Sequence, residues 1–165
     1  HCLDVAAYML LLADKAGTLA EAKELARAAR DDGRAFRKFR DMVAFQGGDV
    51  AQIDDLTLLP QAQFVEPIIA PRSGFIAAFN TAAIGWASVH LGAGRLVKSD
   101  QINYAVGLVL SCAVGDEVAQ GQVLGMIHAD DRAKLEQARA EVVTAVSWSD
   151  TRVAPLPHIY ETVTA

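Results

Sequence analysis

Val114-Gly115-Asp116-Glu117-Val118-Ala119-Gln120-Gly121-Gln122-Val123-Leu124 sets two glycine turns six residues apart around a short strand, and an apolar run from Val123 to Ala129 leads away from it. Glycine reaches left-handed backbone without steric cost, so this spacing predicts a compact hairpin module and a β-rich back part. Outward from the module, Ala105 to Ala113 reads as an apolar strand before it and Val123 to His128 as a strand after it. Asp130 is then expected to cap a helix of about 15 residues. Further upstream, Phe64 to Ala70 predicts a strand, Pro71-Arg72-Ser73-Gly74 a turn, and Phe75 to Phe79 the returning strand of a hairpin. Asn80 or Thr81 can cap a helix reaching about Leu91, which Gly92-Ala93-Gly94 ends. The tail from Val153 to Tyr160, with Pro155 and Pro157, reads as an extended edge strand.

The Gly-Asp-x-Val-x-x-Gly pattern also occurs in carrier domains that present a modified lysine, so the five lysines decide that reading. Lys15, Lys23 and Lys38 lie far upstream, Lys134 sits in a charged helical pattern, and Lys98 is flanked by Val97 and Ser99. None stands at a hairpin tip, which argues against a carrier. Gly92-x-Gly94 follows a helix and lacks a third glycine, so it is not a dinucleotide loop.

The front part is helical. Cys2 to Leu12 is apolar apart from Asp4 and suits a helix buried on most sides, with Gly17 as its stop. Thr18-Leu19-Ala20-Glu21 has capping-box spacing, so a second helix starts near Leu19 and runs to Asp31-Asp32-Gly33. Asp32 is a candidate N-cap for a third helix, whose Phe36, Phe39, Met42 and Val43 form an apolar stripe. Val50 to Pro60 is the best boundary. The expected organisation is α+β, with a helical segment over residues 1–59 and a small β-rich domain with covering helices over residues 60–165.

With 52% hydrophobic and 21% charged residues in 165, the chain has the composition of a globular protein with a sizeable core. Its net charge of -5 offers no general attraction to nucleic acid or anionic membranes. Arg27, Arg30, Arg34, Arg37, Lys38 and Arg40 cluster, which admits a phosphate-binding surface. The interleaved Asp31, Asp32 and Asp41 favour a solvated helical face instead. Ser73 to Gly94 holds 22 residues without a charge, yet its polar residues and four glycines suit a buried strand and helix better than a membrane span. Cys2 and Cys112 stand alone, and His1, His90, His128 and His158 show no ligand spacing. The acid pairs Asp31-Asp32, Asp54-Asp55 and Asp130-Asp131 are read as caps and turns rather than cation sites.

Taken together, ordered blocks resemble one family. Gly33-Arg34-Ala35-Phe36-Arg37-Lys38-Phe39, Met42-Val43 and Gln46-Gly47-Gly48-Asp49 are similar to a helical segment of the pyrimidine-nucleoside and thymidine phosphorylases. Ala70-Pro71-Arg72-Ser73-Gly74-Phe75, Ile84-Gly85-Trp86-Ala87 and Leu91-Gly92-Ala93-Gly94-Arg95 resemble their C-terminal domain. Asp100-x-Ile102, Ala105-Val106-Gly107, the hairpin module and Ile127-His128-Ala129 continue it.

The resemblance implies a barrel-sandwich and hammerhead type of back domain and a cytoplasmic parent enzyme that exchanges phosphate for the base of a pyrimidine nucleoside. The phosphate cradle and base-holding cations of that chemistry belong to a region upstream of the matched blocks. No catalytic, cofactor-binding or metal residue is therefore assigned, and phosphate enters only as the parent's co-substrate. The expected partner is the N-terminal portion of the same polypeptide, in a homodimeric parent that needs neither nucleic acid nor membrane. The chain alone is expected to be an inactive, monomeric or weakly associating part of the lobe that closes the cleft. Its chain start at His1, without Met, fits a removed upstream portion. Arg72, Arg95 and Lys98 are the cations of the back domain with a chance of facing substrate, with surface solvation or an ion pair as the plainer alternative. His128 is expected to pack against the hairpin with a backbone hydrogen bond. A free-standing, non-catalytic binding or interaction module of the same fold is the alternative.

Overall fold

The computed structural model describes residues 1–163, and they group into two compact units. The first comprises His1–Leu58 and the segment from Pro157 onward; the second is Leu59–Leu156.

In the first unit, α1 (Cys2–Leu12), α2 (Leu19–Asp31), α3 (Arg34–Phe45) and the short α4 (Ala51–Asp54) follow one another. α1 stops before Gly17 is reached, because Asp14 takes the left-handed conformation (φ 53°) that a short polar side chain tolerates. The Thr18 hydroxyl accepts the Glu21 amide at 3.2 Å, as a cap should, while the Glu21 carboxylate reaches back to the Gly17 amide at 2.9 Å. At α3 the N-cap is Gly33, and Asp32 serves from one residue further out by accepting the Arg34 amide. The helices meet through small residues: Ala7 of α1 and Ala22 and Ala26 of α2 are the buried positions. Lys23 reaches Asp4 at 2.7 Å. The expectation that α1 is buried on most sides is not met: Met9 is 66% and Leu12 84% exposed. The α3 stripe likewise has no buried residue.

The second unit contains two three-stranded sheets around one core. β1 (Phe64–Ile69), β5 (Val123–Ala129) and β3 (Gly107–Leu110) form an antiparallel sheet in the order β1-β5-β3. β4 (Glu117–Val118), β2 (Gly74–Phe79) and β6 (Val146–Ser149) form the other, in the order β4-β2-β6. β1 and β2 were expected to pair as a hairpin, but the Pro71–Ser73 bend carries the chain from one sheet to the other. The glycine module does likewise. β3 and β5 pair directly, and the connection between them carries β4 across to β2. Gly115 (φ 96°) and Gly121 (φ 86°) supply its turns. The Val153–Tyr160 tail forms no strand; β6, directly after the last helix, takes the edge beside β2.

α5 (Thr81–Ser88) and α6 (Arg132–Ala145) complete this unit. Asn80 caps α5, accepting the Ala83 amide at 3.1 Å, and a π-type turn over Val89–Ala93 extends it. The N-cap of α6 is Asp131, which accepts the Lys134 amide, rather than Asp130. Asp130 instead ties the Gln63 amide and the Asn103 side chain to this end. Leu135, Ala138 and Val142 recur at helical spacing and are buried against Ile68, Ile76, Leu124 and Ile127 from the two sheets. Each buried branched side chain contributes roughly 1.5–3 kcal/mol relative to exposure.

Candidate functional site

One polar cluster of the second unit lies where the π-type turn after α5 meets α6. Leu91 of that turn is driven into the core, which leaves His90 toward α6. There its Nδ1 lies 3.1 Å from both carboxylate oxygens of Glu141. Gln137, one helical turn before Glu141, donates to the same carboxylate at 2.8 Å. The Gln137 hydrogen bond, reinforced by His90, holds the Glu141 carboxyl below the usual glutamate range. Trp86, one turn before His90, stacks on the imidazole with ring centroids 6.2 Å apart. The His90–Glu141 hydrogen bond ties the π-type turn to α6. Among the described residues, no hydroxyl or thiol hydrogen-bonds His90, so the arrangement lacks the nucleophile-base contact that covalent catalysis uses.

A second network crosses β1 and α6. Glu66 receives Arg132 at 2.5 Å and Arg139 at 2.6 Å, and Arg139 also donates to the Pro67 carbonyl. These bonds, Arg132's first, keep the Glu66 carboxyl below its ordinary range. The Arg132 guanidinium lies 4.5 Å from the Phe64 ring centroid.

The three candidate cations fare differently. Arg72 is engaged, pairing with Asp150 and donating to the Ser73 carbonyl. Arg95 and Lys98 are exposed on the loop that follows the π-type turn and form no ion pair among the described residues. That loop is pinned underneath. Asp100 accepts the Leu96 and Val97 amides at 2.9 and 3.0 Å, and the Asn103 amide donates to the Gly92 carbonyl at 2.9 Å. His128 sits half-buried in the middle strand β5, opposite Val65 and Gly107. Among the described residues its ring makes no backbone hydrogen bond, contrary to expectation, because its position belongs to the outer face of the sheet, where solvent can serve it.

Of the other candidates, Cys112 is partly buried and donates to the Leu124 carbonyl; burial and the nearby Asp116 push its thiol pKa up, away from reactivity. The basic cluster is largely paired, through Arg27–Glu24, Arg30–Asp31, Arg34–Asp32 and Arg40–Asp54. The acid pairs serve caps, turns and ion pairs: Asp55 accepts from Thr57, Asp131 caps α6, and Asp54 holds Arg40. Among the described residues no group of three or more His, Cys, Asp or Glu could hold a metal ion.

Sequence reasoning missed the links from His90 to Glu141 and from Glu66 to its two arginines. Gln137 and Glu141 are four apart on one helix and could have been read as a pair. The residues joined by the His90–Glu141 and Glu66–arginine links lie 51 to 73 positions apart and leave no local signature.

Comparison with known proteins places these elements. Residues 75–149, from β2 to the end of β6, match the pyrimidine nucleoside phosphorylase C-terminal domain. Over 162 residues the chain is 35% identical to a pyrimidine-nucleoside phosphorylase of Geobacillus stearothermophilus, covering 98% of this chain and 37% of the relative. It is 39% identical over 153 residues to one of Staphylococcus aureus (strain bovine RF122 / ET3-1), covering 93% of this chain and 35% of that protein. The chain thus spans little more than a third of the length of the relatives it matches. Identity at this level over nearly all of its residues means that the chain belongs to the pyrimidine-nucleoside phosphorylase family, as its C-terminal portion.

Proposed function

We propose that this chain is the C-terminal portion of a cytoplasmic pentosyltransferase that cleaves pyrimidine nucleosides with phosphate, releasing the base and a pentose 1-phosphate. The observation that carries this is the extent of the match, 35–39% identity over 93–98% of the chain, to proteins named for that activity. In such an enzyme residues 1–59 end the helical region and residues 60–165 form a C-terminal domain of barrel-sandwich and hammerhead type. The chain's own role is structural, as part of the lobe that closes on the cleft and keeps water from competing with phosphate. Its polar clusters suit that role, since His90–Glu141 and Glu66–Arg132–Arg139 tie helix to helix and helix to sheet. The parent acts as a homodimer, with phosphate as co-substrate and no further cofactor assigned to this chain.

The test is phosphorolysis of uridine and thymidine, followed as released base, by two proteins. One is the isolated chain. The other joins the unmatched N-terminal part of the Geobacillus stearothermophilus relative to His1. Turnover by the fusion alone is expected. Turnover by the isolated chain would overturn the structural role, and a folded but inactive fusion would favour the free-standing interaction module.

A further inference from the structure

The first unit is amphipathic in a way that its own helices do not resolve. α1 is apolar on almost every side, Asp4 excepted, a pattern found in helices enclosed by a larger body. Yet Ala7 is its buried residue, and Val5, Met9 and Leu12 are exposed. Beside it runs an open groove of about 1100 Å³, lined mainly by apolar residues such as Leu3, Met9 and Leu10 of α1 and Leu25 of α2, with Arg30 and Arg34 also in its wall. α3 continues the theme: Phe36, Phe39, Met42 and Phe45 recur at three-residue intervals, all exposed, with Phe45 at 93%. An apolar surface of this extent marks a contact site.

Its occupant can be named from the relatives. They carry nearly two thirds of their length outside the part that this chain matches, on the N-terminal side. The groove is also lined by His1, so a polypeptide joined there would emerge at its rim. We infer that the α1–α2 groove and the exposed α3 stripe are the seat for the N-terminal portion of a pyrimidine-nucleoside phosphorylase polypeptide, through apolar contact centred on Met9. This rests on the family reading above and adds to it the surface used. The second unit makes no such demand for its core, since Leu135, Ile127 and Ile76 are already fully buried within it.

The experiment compares Met9→Asp and Phe45→Asp in the isolated chain and in the fusion, with exposed Tyr104→Asp as control. Both substituted side chains are exposed in the isolated chain, so its helicity and thermal midpoint should not change. In the fusion each should lower the midpoint by several degrees, because a carboxylate would then enter an apolar seat. The same fusion split at His1 should lose association by roughly 30-fold or more. Unchanged fusion stability would overturn the inference while leaving the family reading untouched if the fusion still turns over. An inactive fusion that the two substitutions destabilise would instead leave the seat standing and sink the proposed activity. A dimer of the isolated chain abolished by Met9→Asp, with the fusion unaffected, would make a second copy the occupant and overturn the inference.

Discussion

The two units reach opposite solutions from similar apolar material. The second encloses one core fed by both sheets and both helices, with Ile68, Ile76, Leu124, Ile127 and Leu135 all but inaccessible. The first fully buries only alanines, half-buries Leu3, Leu10, Leu11 and Leu19, and leaves Leu12, both methionines and its phenylalanines exposed. A helix pair joined at alanines allows close backbone approach but removes little apolar area, and burial energy scales with that area. The second unit therefore has the means to stand alone, whereas the first is shaped to be finished by something else.

The sharpest way to break this comparison is to damage the unit said to be complete. Gly125 lies in β5 between β1 and β3, and a Cβ there would sit 2.3 Å from the Val109 carbonyl oxygen and 3.0 Å from the Leu110 Cα. Both obstacles are backbone, so they cannot swing aside. Gly125→Ala should cost roughly 3 kcal/mol or more. Gly85 provides the opposite case: it lies within α5 with nothing near the added methyl, and Gly85→Ala should stabilise by about 0.5–1 kcal/mol. Trp86 and Trp148 both belong to this unit, so tryptophan fluorescence during urea unfolding reads it alone. A neutral Gly125→Ala would mean that the two strands can separate and that the core is looser than described.

Smaller effects sharpen the contrast. Thr18 caps α2 in the first unit and Asp131 caps α6 in the second, each through one amide of the first helical turn. Each alanine replacement should cost about 1 kcal/mol. Asp131→Ala should move the fluorescence transition and Thr18→Ala should move only the helical circular dichroism signal. If Thr18→Ala shifted the fluorescence curve equally, the units would unfold together and the distinction between them would lose its energetic meaning.

How much of this was legible depended on the range of the interaction that decides it. Helix starts were readable because Thr18 and Asn80 act on amides three residues away. Strands announced themselves as apolar runs. Their partners did not, because the same runs satisfy a β1–β2 hairpin or a crossing to another sheet equally well, and only contacts distant in sequence choose. β6 escaped because Val146-Ser147-Trp148-Ser149 follows α6 without a glycine or proline, and four alternating residues carry little signal. The burial expected of α1 was inferred from its apolar composition and is not found, because burial needs a partner that sequence pattern cannot supply. Of the candidate site residues, Arg72 illustrates the limit: its charge was evident, while Asp150, which holds it, lies 78 residues away.

The mildest test concerns the ionic tie between β1 and α6. Glu66 is held below its ordinary range by Arg132 and Arg139, so its folded pKa lies under its unfolded value. A group depressed in this way adds stability above its unfolded pKa, near pH 4.3, and that contribution disappears as pH falls through the folded pKa. Glu66→Gln keeps the shape and removes the titration. At neutral pH the variant should unfold at slightly lower urea than the parent, and the two fluorescence midpoints should converge as pH falls below about 4.3. The effect is modest because the carboxylate remains partly open to water, with its side chain 31% exposed. Parallel pH profiles would show that the arginines do not hold β1 to α6, leaving apolar contact as the cement of the second unit; convergence would show that its closed core is clasped at the surface as well.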